Sequence, residues 1–148
     1  MDDLTAFVRA RLDEDERAAR RAAEVCGCHP PASSWIFDDE ATDGRILVVD
    51  DPHPDVKRKL GRRWNGTYNG LFTAEHIARH DPARVLREVE ARRRLVGLTE
   101  YMGGWNTEHD TQVTEHEIHS MRQAAHEMLR NLAAPYADHP DYQEEWRS

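Results

Sequence analysis

The sequence predicts a single α+β domain: a long N-terminal amphipathic helix, a small antiparallel β-hairpin or meander, two further long helices and an ordered aromatic-rich C-terminal tail. Three observations carry that expectation. Apolar residues recur at helical spacing over 3–25, 82–101 and 107–133. Two short aromatic and β-branched runs flank an Asp43-Gly44 turn signal. Proline and glycine fall at the ends of these segments rather than inside them.

The first helix is expected over residues 3–25. At roughly 100° per residue, Leu4, Phe7, Val8, Leu12, Ala18, Ala22 and Val25 share an arc of about 140°. Arg9, Asp13, Glu16, Arg17 and Arg20 take the remainder. Asp2 or Asp3 suits the cap, and Gly27 with the following prolines stops the helix. Next, Trp35-Ile36-Phe37 and Arg45-Ile46-Leu47-Val48-Val49 read as the strands of a hairpin inside a β region of about 34–72. Asp51-Pro52-His53-Pro54 ends the second strand, because proline cannot continue a ladder. Residues 55–72 suit either a third strand or an irregular loop packed on the hairpin.

Residues 73–80 are expected to form a short helix capped by Thr73. Asp81 then caps the helix at 82–101, with Pro82 at its first position, where a missing N–H costs nothing. Val85, Leu86, Val89 and Val96 mark its buried face, and at least one of Arg92, Arg93 and Arg94 must run its stem along the core edge. The last helix, 107–133, carries Ile118, Met121, Ala125, Met128, Leu129 and Leu132 on one face, and Pro135 stops it. Tyr136, Tyr142 and Trp146 make the tail at 134–148 too aromatic for a disordered end.

A chain of 148 residues fits one domain and buries about two-thirds of its unfolded surface. Charged residues at 32% and aromatics at 7% imply a modest core, which makes self-association plausible. The net charge of −8 disfavours general affinity for nucleic acid or an anionic membrane, since the long-range field repels polyanions. Cys26 and Cys28 are too close to staple distant segments, so no disulfide framework is expected. The N-terminus lacks the pattern of a signal peptide, and no apolar run approaches the roughly 20 residues that span a bilayer. A cytoplasmic protein without a membrane segment is the expectation.

Three blocks, DDLTAFVRARLDEDERAAR, HIARHDPARVLREVEARRRLV and APYADHPDYQEEWRS, cover about 55 of the 148 residues. In order and placement they resemble a family of small actinobacterial and actinophage proteins known only as a domain of unknown function. The resemblance implies no activity. Two features depart from the family pattern. C-G-C-H-P-P stands where relatives tend to carry a Pro-Gly-Pro-Trp-like stretch, and GGWNTEHDTQVTEHEIH lacks the cysteine-containing insert that many relatives carry before the last helix.

Candidate chemistry is sparse. His76 and His80 share a helix face at i, i+4, and neutral imidazole is a good zinc ligand. Cys26, Cys28, His29 and His53 are the available further ligands, although Cys-x-Cys fits structural zinc poorly. Against the metal stands the bland reading, a helix boundary in which His80 ends one helix and Asp81-Pro82 starts the next. His109, His116, His119 and His126 form a stripe about 170° from the apolar face of the last helix. That stripe is either a solvated face or a pH-sensitive or metal-bridged contact between subunits. Lys57, Arg58, Lys59, Arg62 and Arg63, with Trp64 and Tyr68, interleave basic and aromatic side chains as single-stranded nucleic-acid binders do. A charged loop anchored by Trp64 is the rival.

No catalytic residue is nominated. His116-Glu117-x-His119 brings its second histidine one residue too early for a metalloprotease, and no nucleophile elbow, phosphate loop or dinucleotide fingerprint occurs. Cys28 and His29 are neighbours in sequence, which does not supply the geometry of a nucleophile and base. The expectation is a non-enzymatic interaction or accessory module that needs no cofactor and binds a protein partner or itself. A zinc protein and a single-stranded nucleic-acid binder are the alternatives.

Overall fold

Helix α1 (Asp2–Ala23) opens the chain, followed by strands β1 (Trp35–Asp38), β2 (Arg45–Val48) and β3 (Lys59–Leu60). Helices α2 (Tyr68–Arg79), α3 (Pro82–Gly103) and α4 (Glu115–Ala133) come next, and two 3-10 turns, Ala134–Tyr136 and Glu144–Trp146, shape the tail. This computed structural model describes residues 2–24, 33–38, 45–48, 59–60, 68–105 and 113–147.

The molecule is predominantly helical, which corrects the expected α+β class. Its helices hold 22, 12, 22 and 19 residues, whereas the strands hold 4, 4 and 2. The strands pair antiparallel in the order β1-β2-β3, with Trp35 opposite Val48 and Ile46 opposite Leu60. Elements this short add a small ladder to a helical molecule. The expected β region also extends too far: Tyr68–Phe72 are helical, and Thr73, read as a cap, lies inside α2.

The chain divides into two compact units, residues 1–14 with 89–148, and residues 15–88. In the second unit, Ile46, Ala74 and Ala78 form a small core against which Trp35, Phe37 and Ile77 pack. Alanine on α2 lets the helix lie close to the strands. Asp81 ties this unit together. Its Oδ1 accepts the Arg84 N–H at 2.7 Å, satisfying a free donor of the first turn of α3, and its Oδ2 accepts the Trp35 N–H at 3.3 Å. The Ala83 N–H donates to the Ser33 carbonyl at 3.0 Å, so the chain enters β1 beside the start of α3 through one backbone bond and one bond to the Asp81 side chain.

In the first unit the buried side chains are Leu4, Phe7, Val8 and Leu12 of α1, Val89, Val96 and Thr99 of α3, Ile118, Ala125, Leu129 and Ala133 of α4, and Trp146. The tail packs back, as its aromatics require. Phe7 sits 5.0 Å from Trp146, 5.8 Å from both Tyr142 and His139, and 6.5 Å from Tyr136, ring centre to ring centre. Arg11 is buried and lies over the Phe7 ring at 5.2 Å. One of its Nη atoms donates to Glu14 at 3.0 Å and the other to His139 Nδ1 at 2.6 Å. Arg130 donates to the carbonyls of Trp146 and Arg147, holding the end of the tail against α4.

Farther along α1 the buried positions are Ala19 and Ala23 rather than the expected Ala18 and Ala22. The helix contributes its first 13 described residues to one unit and the rest to the other. Helix α4 begins at Glu115, where Thr114 builds a capping box; of its expected span, residues 107–112 lie outside the described residues. Its hydroxyl accepts the Glu117 N–H at 3.3 Å, and the Glu117 carboxylate accepts the Thr114 N–H at 2.8 Å.

Two outcomes are expected. Asp81→Ala removes the cap and the bond to β1, and should lower unfolding stability by about 1–2 kcal/mol in a denaturant titration; Asp81→Asn, with one acceptor oxygen, should keep the cap, lose the bond to the Trp35 N–H and fall between the two. The Thr114 backbone N–H, and then its hydroxyl, hold the Glu117 carboxyl below its ordinary value of 4.5. A depressed folded value means this contribution is complete above the ordinary value and lost as pH falls through the lowered one. Glu117→Gln should therefore flatten the acid limb of the stability–pH profile and leave its neutral region nearly level.

Candidate functional site

Helix α3 carries two apolar faces. Val89, Val96 and Thr99 are buried on one, with the Thr99 hydroxyl bonded to the Val96 carbonyl at 2.7 Å so that it enters the core satisfied. Arg93 borders that face and bonds Asp13 at 2.6 Å, while Arg9 reaches Glu100 at 2.7 Å. Together these exposed pairs tie α3 to α1 across the first unit, each worth at most about 1 kcal/mol.

The candidate site is a second face, turned about 115° around the helix from the first. Leu95, Leu98 and Tyr101 remain 41%, 47% and 63% exposed, a large apolar surface for a chain of this charge. Among the described residues the large exposed hydrophobics number five, and these are three of them; the other two, Ile36 and Phe72, lie in the second unit. Their placement is ordered. Ala91, Leu95, Leu98 and Met102 stand at intervals of four, three and four, the a/d spacing of a helix-pairing seam. Ala91 is exposed and Met102 half-buried, so the seam is open along its length. Tyr101 flanks it and meets Trp105 edge-on at 5.8 Å, while the Trp105 carbonyl accepts Arg122 of α4 at 2.8 Å. The C-terminal end of the seam is therefore braced from within the same unit.

Sequence reasoning assigned α3 only the face marked by Val85, Leu86, Val89 and Val96. The signal for the second face was already present as the 91, 95, 98, 102 spacing, masked by the three arginines between. Of these, Arg94 pairs within the helix with Glu90 at 3.1 Å.

The residues nominated from sequence are placed differently. His76 and His80 do come together, with ring centres 4.3 Å apart. The His80 Nδ1–H donates to the His76 carbonyl at 2.9 Å, and the His80 backbone N–H reaches the same oxygen at 3.2 Å. The pair closes the C-terminal end of α2, and Arg84 bonds the Arg79 carbonyl at 3.2 Å beside it. Cys26, Cys28, His29 and His53 lie outside the described residues. Among the described residues no group of three or more His, Cys, Asp or Glu side chains is arranged to hold a metal ion.

On α4, His116 and His119 are exposed and His126 is half-buried; His109 lies outside the described residues. His119 and His126 line an open groove of about 530 Å3 with Arg122, Gln123 and Glu127. Of the basic and aromatic segment, Lys59 lies in β3 and Tyr68 opens α2, while Lys57, Arg58, Arg62, Arg63 and Trp64 lie outside the described residues. A second groove, about 560 Å3, runs from Asp2 and Thr5 of α1 past the Arg9–Glu100 pair to Gly103 and Gly104. No helix among the described residues is long and apolar enough to cross a membrane.

The full length, residues 1–148, matches the sequence profile of a family of unknown function, DUF6221. The chain belongs to the DUF6221 family. No curated protein and no solved structure matches it. On this DUF6221 chain the outward face of α3 is an apolar surface, among the described residues, that core packing does not use.

Proposed function

We propose that the protein is a non-enzymatic interaction or accessory module that binds a partner helix along the outward face of α3. The observation that carries this reading is the exposed Leu95, Leu98 and Tyr101 on a helix whose Val89, Val96 and Thr99 face already serves the core. Isolated exposed leucines are ordinary, but a run at seam spacing on a strongly charged protein marks a contact surface. The fitting occupant is an amphipathic helix that presents apolar side chains at the same spacing. The three sequence blocks support placing the protein in an actinobacterium or its phage, and its cysteine usage supports a cytoplasmic setting.

The test uses substitutions that leave the core intact. Leu95→Lys with Leu98→Glu should preserve the helical circular dichroism and the thermal midpoint. Immobilised wild type should retain a partner chain from its native lysate, or a further copy of itself, and the double variant should retain neither. Equal retention by the folded variant would move the function away from α3.

A further inference from the structure

Resting on that reading, we infer that the helix seated on α3 is the α3 of a second copy, paired antiparallel about a two-fold axis between Leu95 and Leu98. The seam is complementary to itself in this direction. Antiparallel pairing sets a positions against d positions, so Leu95 meets Leu98 of the other copy and Ala91 meets Met102. Each small side chain then faces a large flexible one, filling the layer without a gap. Arg94 comes beside Tyr101 of the other copy, where a guanidinium over a ring face gains a cation–π contact. Two-fold symmetry makes each of these contacts twice.

The parallel alternative is worse on both counts. It stacks Ala91 on Ala91 and leaves a hole in that layer. It also sets Arg87 against Arg92 of the other copy on both flanks, and like charges there repel. Charge thus selects the antiparallel register. The patch is short, below the area of a standard protein–protein interface, so the dimer is expected to be weak and concentration-dependent.

Sedimentation equilibrium on the full chain reads this directly. The wild type should shift from the monomer mass of 17.1 kDa toward twice that value as concentration rises to about 1 mM. Leu98→Glu should stay monomeric across the series while keeping the wild-type thermal midpoint. A wild type that remains monomeric throughout overturns the dimer; so does a Leu98→Glu variant that associates as tightly as wild type. The register is read by oxidative cross-linking with Cys26 and Cys28 changed to serine. Ala91→Cys combined with Met102→Cys should cross-link, whereas Ala91→Cys by itself should not, since its two copies would stand about 16 Å apart. Cross-linking of the single variant alone overturns the antiparallel arrangement. A monomeric wild type that still captures a different chain through Leu98 defeats only the self-pairing and leaves the interaction module standing.

Discussion

The first unit depends on one ring. Phe7 of α1 meets Tyr136, His139, Tyr142 and Trp146 of the tail within 6.5 Å, and the buried Arg11 lies over its ring at 5.2 Å. Truncating a buried aromatic of this kind costs about 3–5 kcal/mol, whereas each exposed ion pair between α1 and α3 contributes at most about 1 kcal/mol. The aromatic clamp therefore decides whether the unit is closed, and the ion pairs adjust the fit. It also explains how a chain with 7% aromatic residues closes a core there at all: four of its rings, with one histidine, converge on a single place.

That arrangement bears on function. With the tail covering Phe7, α3 needs only Val89, Val96 and Thr99 to join the core, and its other apolar face is left at the surface. A helix with one apolar stripe is explained by folding. One with a second stripe about 115° around its axis calls for a further surface to cover it.

Much of this was legible in sequence, for reasons that can be named. Periodicity located α1, α3 and α4, because each buries a stripe. Asp81-Pro82 marked the start of α3, since a carboxylate cap and a first-position proline are local requirements. The same pair bears on the histidines before it: the His80 ring closes α2 on the His76 carbonyl, and Asp81 opens α3. The tail was legible through its aromatics. The strand-forming composition of residues 34–72 suggests an α+β molecule, although the strands among the described residues are at most four residues long and Tyr68–Arg79 is helical. The buried Arg11 was not legible, because its partners His139 and Asp141 lie some 130 positions away. The outer face of α3 was missed because a helix with one adequate apolar face gives no cause to look for another.

The most direct measurement of the central claim follows the methyl NMR signals of leucine-labelled protein through a concentration series. Leu95 and Leu98 should shift progressively as the seam becomes covered, while the buried Leu4, Leu12 and Leu129 stay in place. Shifts confined to other leucines, or none at any concentration and none on adding the captured partner, would contradict a binding face on α3.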